Sequence, residues 1–246
     1  MRSTNYIITI VTACVVASLA GWALADKPVA FEVTIETHHI NPETGARVLA
    51  EVRHIAKRSD GARAETRSVM SANGEVTLTV REIDKDGNRY RVYPSVGAVS
   101  SEKGGGRKDQ PYVRRATCDK PIKEGRKPRP GMVAEREGEI AGYAVQGYVN
   151  SGKIGTMVIW KAPALGCESL GFDALDKDGK LISVGRAVKV ETKVGPQAFE
   201  IPAGFQEMSP TEVAEAINHK HDLPKCSTEA EQLKHVQEKY DRAGRP

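Results

Sequence analysis

The densest cluster of metal-binding residue types is His219-x-His221, with Cys226 and His235 downstream. On a strand, alternate residues share a face, and two imidazoles placed so can hold a transition metal. Here the pair falls at the expected end of a helix beside Pro224, where the rings should face solvent. His38-His39 would point one ring to each side of a strand, so at most one could join a site. No metal site and no cofactor are expected. Two Asp-Lys-Asp-Gly segments, 84–87 and 176–179, begin like calcium loops. An EF-hand loop of about twelve residues must close on a bidentate Glu. The closing positions here are Ser95 and Ala187, so both segments read as hairpin turns.

Hydrolytic chemistry needs a nucleophile, a base and an orienting acid. The chain has serines but no G-x-S-x-G, and no H-E-x-x-H, Walker A or Rossmann signature. Gly166-Cys167-Glu168 matches no catalytic-cysteine pattern. No catalytic residue is nominated, and the expectation is a protein that is not an enzyme.

The amino-terminal residues set the compartment. Arg2 precedes an uncharged apolar run from Tyr6 to Leu19, and Ala23-Leu24-Ala25 offers small residues at the cleavage positions before Asp26. That is the layout of a signal peptide cleaved after Ala25, and it predicts a periplasmic or extracellular protein, soluble once cleaved. Two other readings of this segment exist. The run from Ser3 to Ala25 could just span a bilayer, and Val11-Thr12-Ala13-Cys14 has the residue types of a lipidation site. The apolar residues that continue beyond Cys14 argue against lipidation, because a lipidated cysteine is normally followed by a polar tether.

Without the leader the chain has 35 basic and 32 acidic residues, since Arg2 is the leader's one charged side chain. A balance so small and so dispersed gives no reason to expect nucleic acid as a partner. Cys118, Cys167 and Cys226 remain. In an exported chain two of them should pair, and three pairings are open.

The elements that must position these residues are mostly strands. Val29, Phe31, Val33 and Ile35 alternate with polar residues, the period of a half-buried strand. Turn clusters at 41–45, 59–61, 73–74 and 84–88 separate further alternating runs as far as Tyr93, which predicts an antiparallel meander of five strands. Residues 97–131 break the pattern with three successive glycines, four prolines and many basic residues, and read as a long irregular insertion. Strands resume near Val133, and Thr156 to Trp160 is dense in β-branched and aromatic residues. Ser209-Pro210-Thr211-Glu212 looks like a helix start, with Ser209 as N-cap, Pro210 first in the helix and Glu212 closing a capping box. A second, polar helix is predicted from Ser227 to Arg242.

The fold class is therefore mainly β, with some α. We expect a curved antiparallel sheet, or half-barrel, of about nine to eleven strands with C-terminal helices. The organisation is a leader over 1–25, a sheet domain over 26–208 that contains the basic insertion 97–131, and a helical tail over 209–246. Of the three cysteine pairings we favour Cys118–Cys167, which would anchor the insertion to the buried strands and leave Cys226 free in the tail.

Three patches in the second half resemble a known group. They are Glu139-Ile140-Ala141-Gly142-Tyr143 with Val145, then Val158 to Cys167 (VIWKAPALGC), then Phe199 to Phe205 (FEIPAGF) followed by Ser209-Pro210. Their order resembles exported bacterial half-barrels of the lipoprotein-carrier-like type, the LolA, LolB and RseB type. The resemblance covers residues 132–210 and transfers no catalytic residue. It implies an envelope protein that holds an apolar ligand, such as an acyl chain or lipid, in its half-barrel. The alternative it implies is a protein-interaction or stress-sensing module whose contact surface is the 97–131 loop.

Overall fold

The computed structural model describes residues 29–221, apart from 42, 72, 106–113, 121–126 and 128. The leader with Cys14, the polar tail with Cys226 and His235, and the predicted last helix lie outside the described residues.

Twelve strands form one open sheet. In chain order they are β1 (Phe31–Ile40), β2 (Arg47–Lys57), β3 (Arg63–Met70), β4 (Val76–Lys85), β5 (Asn88–Tyr93), β6 (Ala98–Glu102), β7 (Arg136–Ile140), β8 (Tyr143–Gly152), β9 (Gly155–Ala162), β10 (Glu168–Leu175), β11 (Leu181–Glu191) and β12 (Gln206–Glu207). Their order across the sheet is β12-β6-β5-β4-β3-β2-β1-β11-β10-β9-β8-β7. Neighbours are antiparallel except β12, which lies parallel to β6. One α-helix, α1 (Pro210–His221), follows.

One expectation needs correction. The sheet has twelve strands rather than nine to eleven. Its extra inner strand, β6, lies at the start of the supposed insertion. Ala98-Val99-Ser100-Ser101-Glu102 has only one β-branched residue, so its own pattern is weak, and pairing with β5 on one side decides its state. Of the two predicted C-terminal helices, α1 lies among the described residues and the one from Ser227 to Arg242 falls outside them. Ala141 and Gly142 both have positive φ, 51° and 79°, and make the tight turn that joins β7 to β8. The helix start is as expected. Ser209 N–H donates to Glu212 Oε2 (2.7 Å), and Glu212 N–H donates to Ser209 Oγ (3.3 Å). These bonds hold the Glu212 carboxyl below its usual range.

The sheet divides into two halves that differ in how they bury their faces. In the half from β11 to β7, single-residue register shifts opposite Thr34–Ile35 and between Ser169 and Gly171 bend the strands. β7 comes back to touch β11 without bonding to it. Phe31, Val33, Ile35, Ile55, Ile140, Val145, Leu165 and Leu170 fill the space so enclosed.

In the half from β2 to β6 each face receives its own cover. Residues 192–205 leave β11, cross one face as a strap, and deliver β12 to the far edge beside β6. That crossing is why the edge strand is parallel. Phe199 of the strap packs on Ala56, Ala62, Ala64, Ile83 and Val92. On the opposite face α1 places Val213 and Ile217 on Tyr93 and Ala98. Phe199→Ala is expected to cost about 3 kcal/mol of stability, read from the urea midpoint at unchanged m-value. A loss below about 1 kcal/mol would mean that the strap is not anchored there.

Candidate functional site

Three places on the sheet gather polar or accessible side chains. The first is a lattice of charges on the α1 face. Register sets Lys57, Arg63, Asp84, Arg89 and Glu102 in one cross-strand row, and Ile55, Glu65, Glu82, Arg91 and Ser100 in the next. Glu65 is almost wholly buried and meets three guanidinium groups. Arg53 Nη2 lies 2.9 Å away, Arg67 Nε 2.6 Å, and Arg63 also bonds to it. Burial by itself would raise the Glu65 carboxyl. The fields of Arg63 and Arg53 and the bond from Arg67 outweigh it and hold the group at about 2. Arg89 Nε lies 2.8 Å from buried Asp84, Arg91 bonds to Glu82, and Lys57 pairs with Glu168 across to β10. No spacing in the sequence marks this lattice, because its residues stand on separate strands.

The second place is the segment from Arg114 to Cys118. Cys118 and Cys167 are disulfide-bonded, the pairing favoured above. Cys167 follows the 3₁₀ turn Pro163–Leu165 and has φ of 68°. Around the bond, Cys118 N–H donates to Gln146 Oε1 (3.0 Å), and Arg115 N–H donates to Pro163 O (3.0 Å). Asp119 accepts from Ala134 N–H (2.9 Å) and Tyr148 Oη (3.1 Å). The Ala134 bond leads in holding the Asp119 carboxyl low. Burial, joined by the Asp119 charge, pushes the Tyr148 hydroxyl up. Where the segment meets β7, β8 and the 3₁₀ turn there is a groove of about 560 Å³, lined by Arg114, Arg115, Glu137, Val145, Pro163 and Ala164 among others.

On the neighbouring strands, Trp160 Nε1–H donates to Asp173 (2.8 Å), which pairs with Arg186. The indole lies over two glycines. A Cβ at Gly147 would sit 2.8 Å from the ring and one at Gly138 3.4 Å. Gly147→Ala is expected to push the ring aside, at a cost of about 1–2 kcal/mol. The check is the tryptophan emission spectrum beside a thermal melt. An unshifted spectrum at unchanged stability would count against this close packing.

The third place lies under the strap. A groove of about 710 Å³ runs between strap residues Gly195, Gln197 and Ala198 and the sheet face formed by β11, β1, β2, β3 and β4. Its lining includes Thr34, His54, Thr66, Arg81 and Lys189. None of these was singled out by sequence reasoning, because they stand on five separate strands.

No family model matches the chain, and no curated protein matches it either. Solved structures do. The chain is similar to a conserved protein from Thermus thermophilus at 11% identity, over 74% of this chain and 91% of that one, with a TM-score of 0.45. It is similar to PNGF-II at 13% identity and a TM-score of 0.45, over 78% of this chain but only 33% of that one. It is similar to a chain of the Pseudomonas aeruginosa MucA/MucB complex at 15% identity and a TM-score of 0.41, over 74% of this chain and 59% of that one. A LolA superfamily protein, NE2245 from Nitrosomonas europaea, matches at 11% identity over 73% and 93%, with a TM-score of 0.29. The LolA superfamily protein bears one of the names that the resemblance of residues 132–210 pointed to. At these identities and TM-scores the likeness carries no role over to this chain.

Among the described residues the histidines are not brought together, and Cys226 and His235 of the predicted cluster lie outside them. His38 lies 4.0 Å from Glu36, and His219 is on α1. Among the described residues no group of three His, Cys, Asp or Glu side chains is placed to hold a metal ion. The first Asp-Lys-Asp-Gly segment ends β4 and turns at Asp86 and Gly87, both with positive φ. In the second, Asp176 accepts from the N–H groups of Asp178 and Lys180, each at 2.9 Å. Both are hairpin turns.

Proposed function

We propose that this is an exported, non-catalytic protein of the cell envelope that binds a protein partner through the disulfide-pinned segment 114–118 and the adjoining β7–β8 edge. One observation carries the reading. In the rolled half of the sheet, Phe31, Val33, Ile35, Ile55 and Leu170 are each no more than 3% exposed. The chain's own side chains fill the space that an acyl chain would need. On the β2–β6 half, the α1 face carries paired charges that a lipid tail would have to desolvate. The groove beside Arg114 and Arg115 remains open and has the make-up of a contact surface, with an apolar floor at Val145 and Pro163 and a charged rim. The apolar leader and the disulfide both suit an oxidising compartment outside the cytoplasm.

The test uses a photo-crosslinking residue in place of Glu137, in cells, with Arg114→Glu/Arg115→Glu as the contrast. A discrete adduct that vanishes in the double variant is the expected result. A delipidated protein that takes up a fluorescent fatty acid, with no adduct at position 137, would overturn the proposal in favour of lipid carriage.

A further inference from the structure

The strap does not lie flat on the sheet. Two side chains hold it off. Glu32 Oε1 accepts the Gly195 N–H (2.9 Å), and Arg81 Nη2 donates to the Gln197 carbonyl (2.6 Å). Beside them Phe199 is driven fully into the sheet face. Phe199 covers Ala56 and Ala64, and a groove of about 710 Å³ stays open beside them, over Thr34, His54 and Thr66, which is within the usual size of a small-ligand site.

The floor of that groove has an order that the strand register imposes. Lys189 is opposite Thr34, Thr34 opposite His54, His54 opposite Thr66, and Thr66 opposite Arg81. Directly opposed residues share a face. The sheet therefore presents ammonium, hydroxyl, imidazole, hydroxyl and guanidinium in one row across five strands, roughly 19 Å from end to end. Thr34 Oγ1 and His54 Nδ1 are already 3.0 Å apart, which fixes the imidazole. The two carboxylates of the lining are committed to the protein. Glu32 holds the strap, and Glu191 lies 2.9 Å from Lys189. Burial lowers Arg81, and the charge of Glu200 partly offsets that. What the groove has left to offer is mostly donors, from Thr66, His54 and Arg81.

We infer that the groove under the strap is a binding site for a phosphate-type anion, held by Arg81, His54 and Thr66. The site is separate from the partner surface at 114–118 and does not depend on it. Two sources share this chemistry, a free phosphorylated small molecule and a phospholipid headgroup, and the test distinguishes them.

The full mature chain is titrated with inorganic phosphate by calorimetry. It is also sedimented with vesicles of phosphatidylcholine alone and of phosphatidylcholine with phosphatidylglycerol. Saturable phosphate binding, weakened roughly tenfold by Thr66→Val and by His54→Gln, is the expected result. Both substitutions avoid the strap-holding residues, and a thermal melt verifies the fold. Arg81→Gln should weaken binding further. If the source is a headgroup, sedimentation will need phosphatidylglycerol and free phosphate will compete it off. If it is a free anion, phosphate will bind while vesicles do not. Binding that persists unchanged in Thr66→Val and His54→Gln would overturn the inference, as would the absence of binding to either probe.

Discussion

Glu65→Gln is expected to cost about 3–5 kcal/mol, among the largest effects of any single substitution in the chain. The reason is the company Glu65 keeps. Arg53, Arg63 and Arg67 converge on one buried carboxylate. A neutral amide would leave three guanidinium groups facing each other around a buried position, with Arg63 and Arg53 largely out of water and Arg67 exposed. Their repulsion, and the lost charge-assisted bonds, both act against the fold. Neighbouring ion pairs share residues and rows with this cluster, so the loss should not stay local.

The same cluster predicts a pH dependence. The Glu65 carboxyl sits at about 2 in the fold against 4.5 for the free side chain. Its folded value is depressed, so its contribution is complete above about pH 4.5 and is lost as pH falls from there toward 2. Integrated over that window, the stabilisation is roughly 3 kcal/mol. Denaturant unfolding at pH 7, 5, 4 and 3 should show a steeper loss below pH 4.5 in the native sequence than in Glu65→Gln, which has no proton to take up. Parallel pH profiles for the two proteins would refute the assignment.

Breaking the Cys118–Cys167 bond is the second large effect. The two residues are 49 apart in sequence. Releasing a loop of that length from the unfolded chain lowers stability by about 4 kcal/mol in the loop-entropy account. Non-covalent ties remain at Gln146, Pro163 and Asp119, so the native segment should loosen rather than depart. Cys167 adds a second component. It holds a left-handed backbone conformation immediately after Gly166 does the same, which disfavours a residue with a Cβ by about 1 kcal/mol. Cys118→Ser/Cys167→Gly should therefore be about 1 kcal/mol more stable than Cys118→Ser/Cys167→Ser. Equal melting of the two double variants would remove the backbone argument. A native protein whose melting is unmoved by reductant would remove the loop argument.

The chain's local chemistry determined a good deal by itself. Alternation of apolar residues placed most of the strands close to where they lie. The capping box at Ser209 and Glu212 located α1, because its partners are three residues apart. Both Asp-Lys-Asp-Gly turns and the end of β9 at Ala162-Pro163 follow from the same short-range rules. The Asn73-Gly74 hairpin exists too, but it closes on Ser71 and Glu75 with Gly74 left-handed, one residue wider than the tight turn its sequence suggests.

What only the tertiary structure decided involves residues far apart in the chain. β6 is a strand because β5 and β12 flank it. Glu65 stays ionised in a buried place because arginines on β2 and β3 converge on it. The row from Lys189 to Arg81 exists because the chain returns late in its course to lay β11 against β1, and the strap then rises over it on Glu32 and Arg81. Each of these depends on strand register, and register is set by the collective burial of whole faces. Histidine, cysteine and aspartate drew attention first because their spacing along the chain could be read. Among the described residues, Asp86 and Asp176 proved to sit in turns, Cys118 and Cys167 in a disulfide, and His39 and His219 to be exposed. The candidate site fell instead to threonine, histidine and arginine on separate strands, which no local spacing relates.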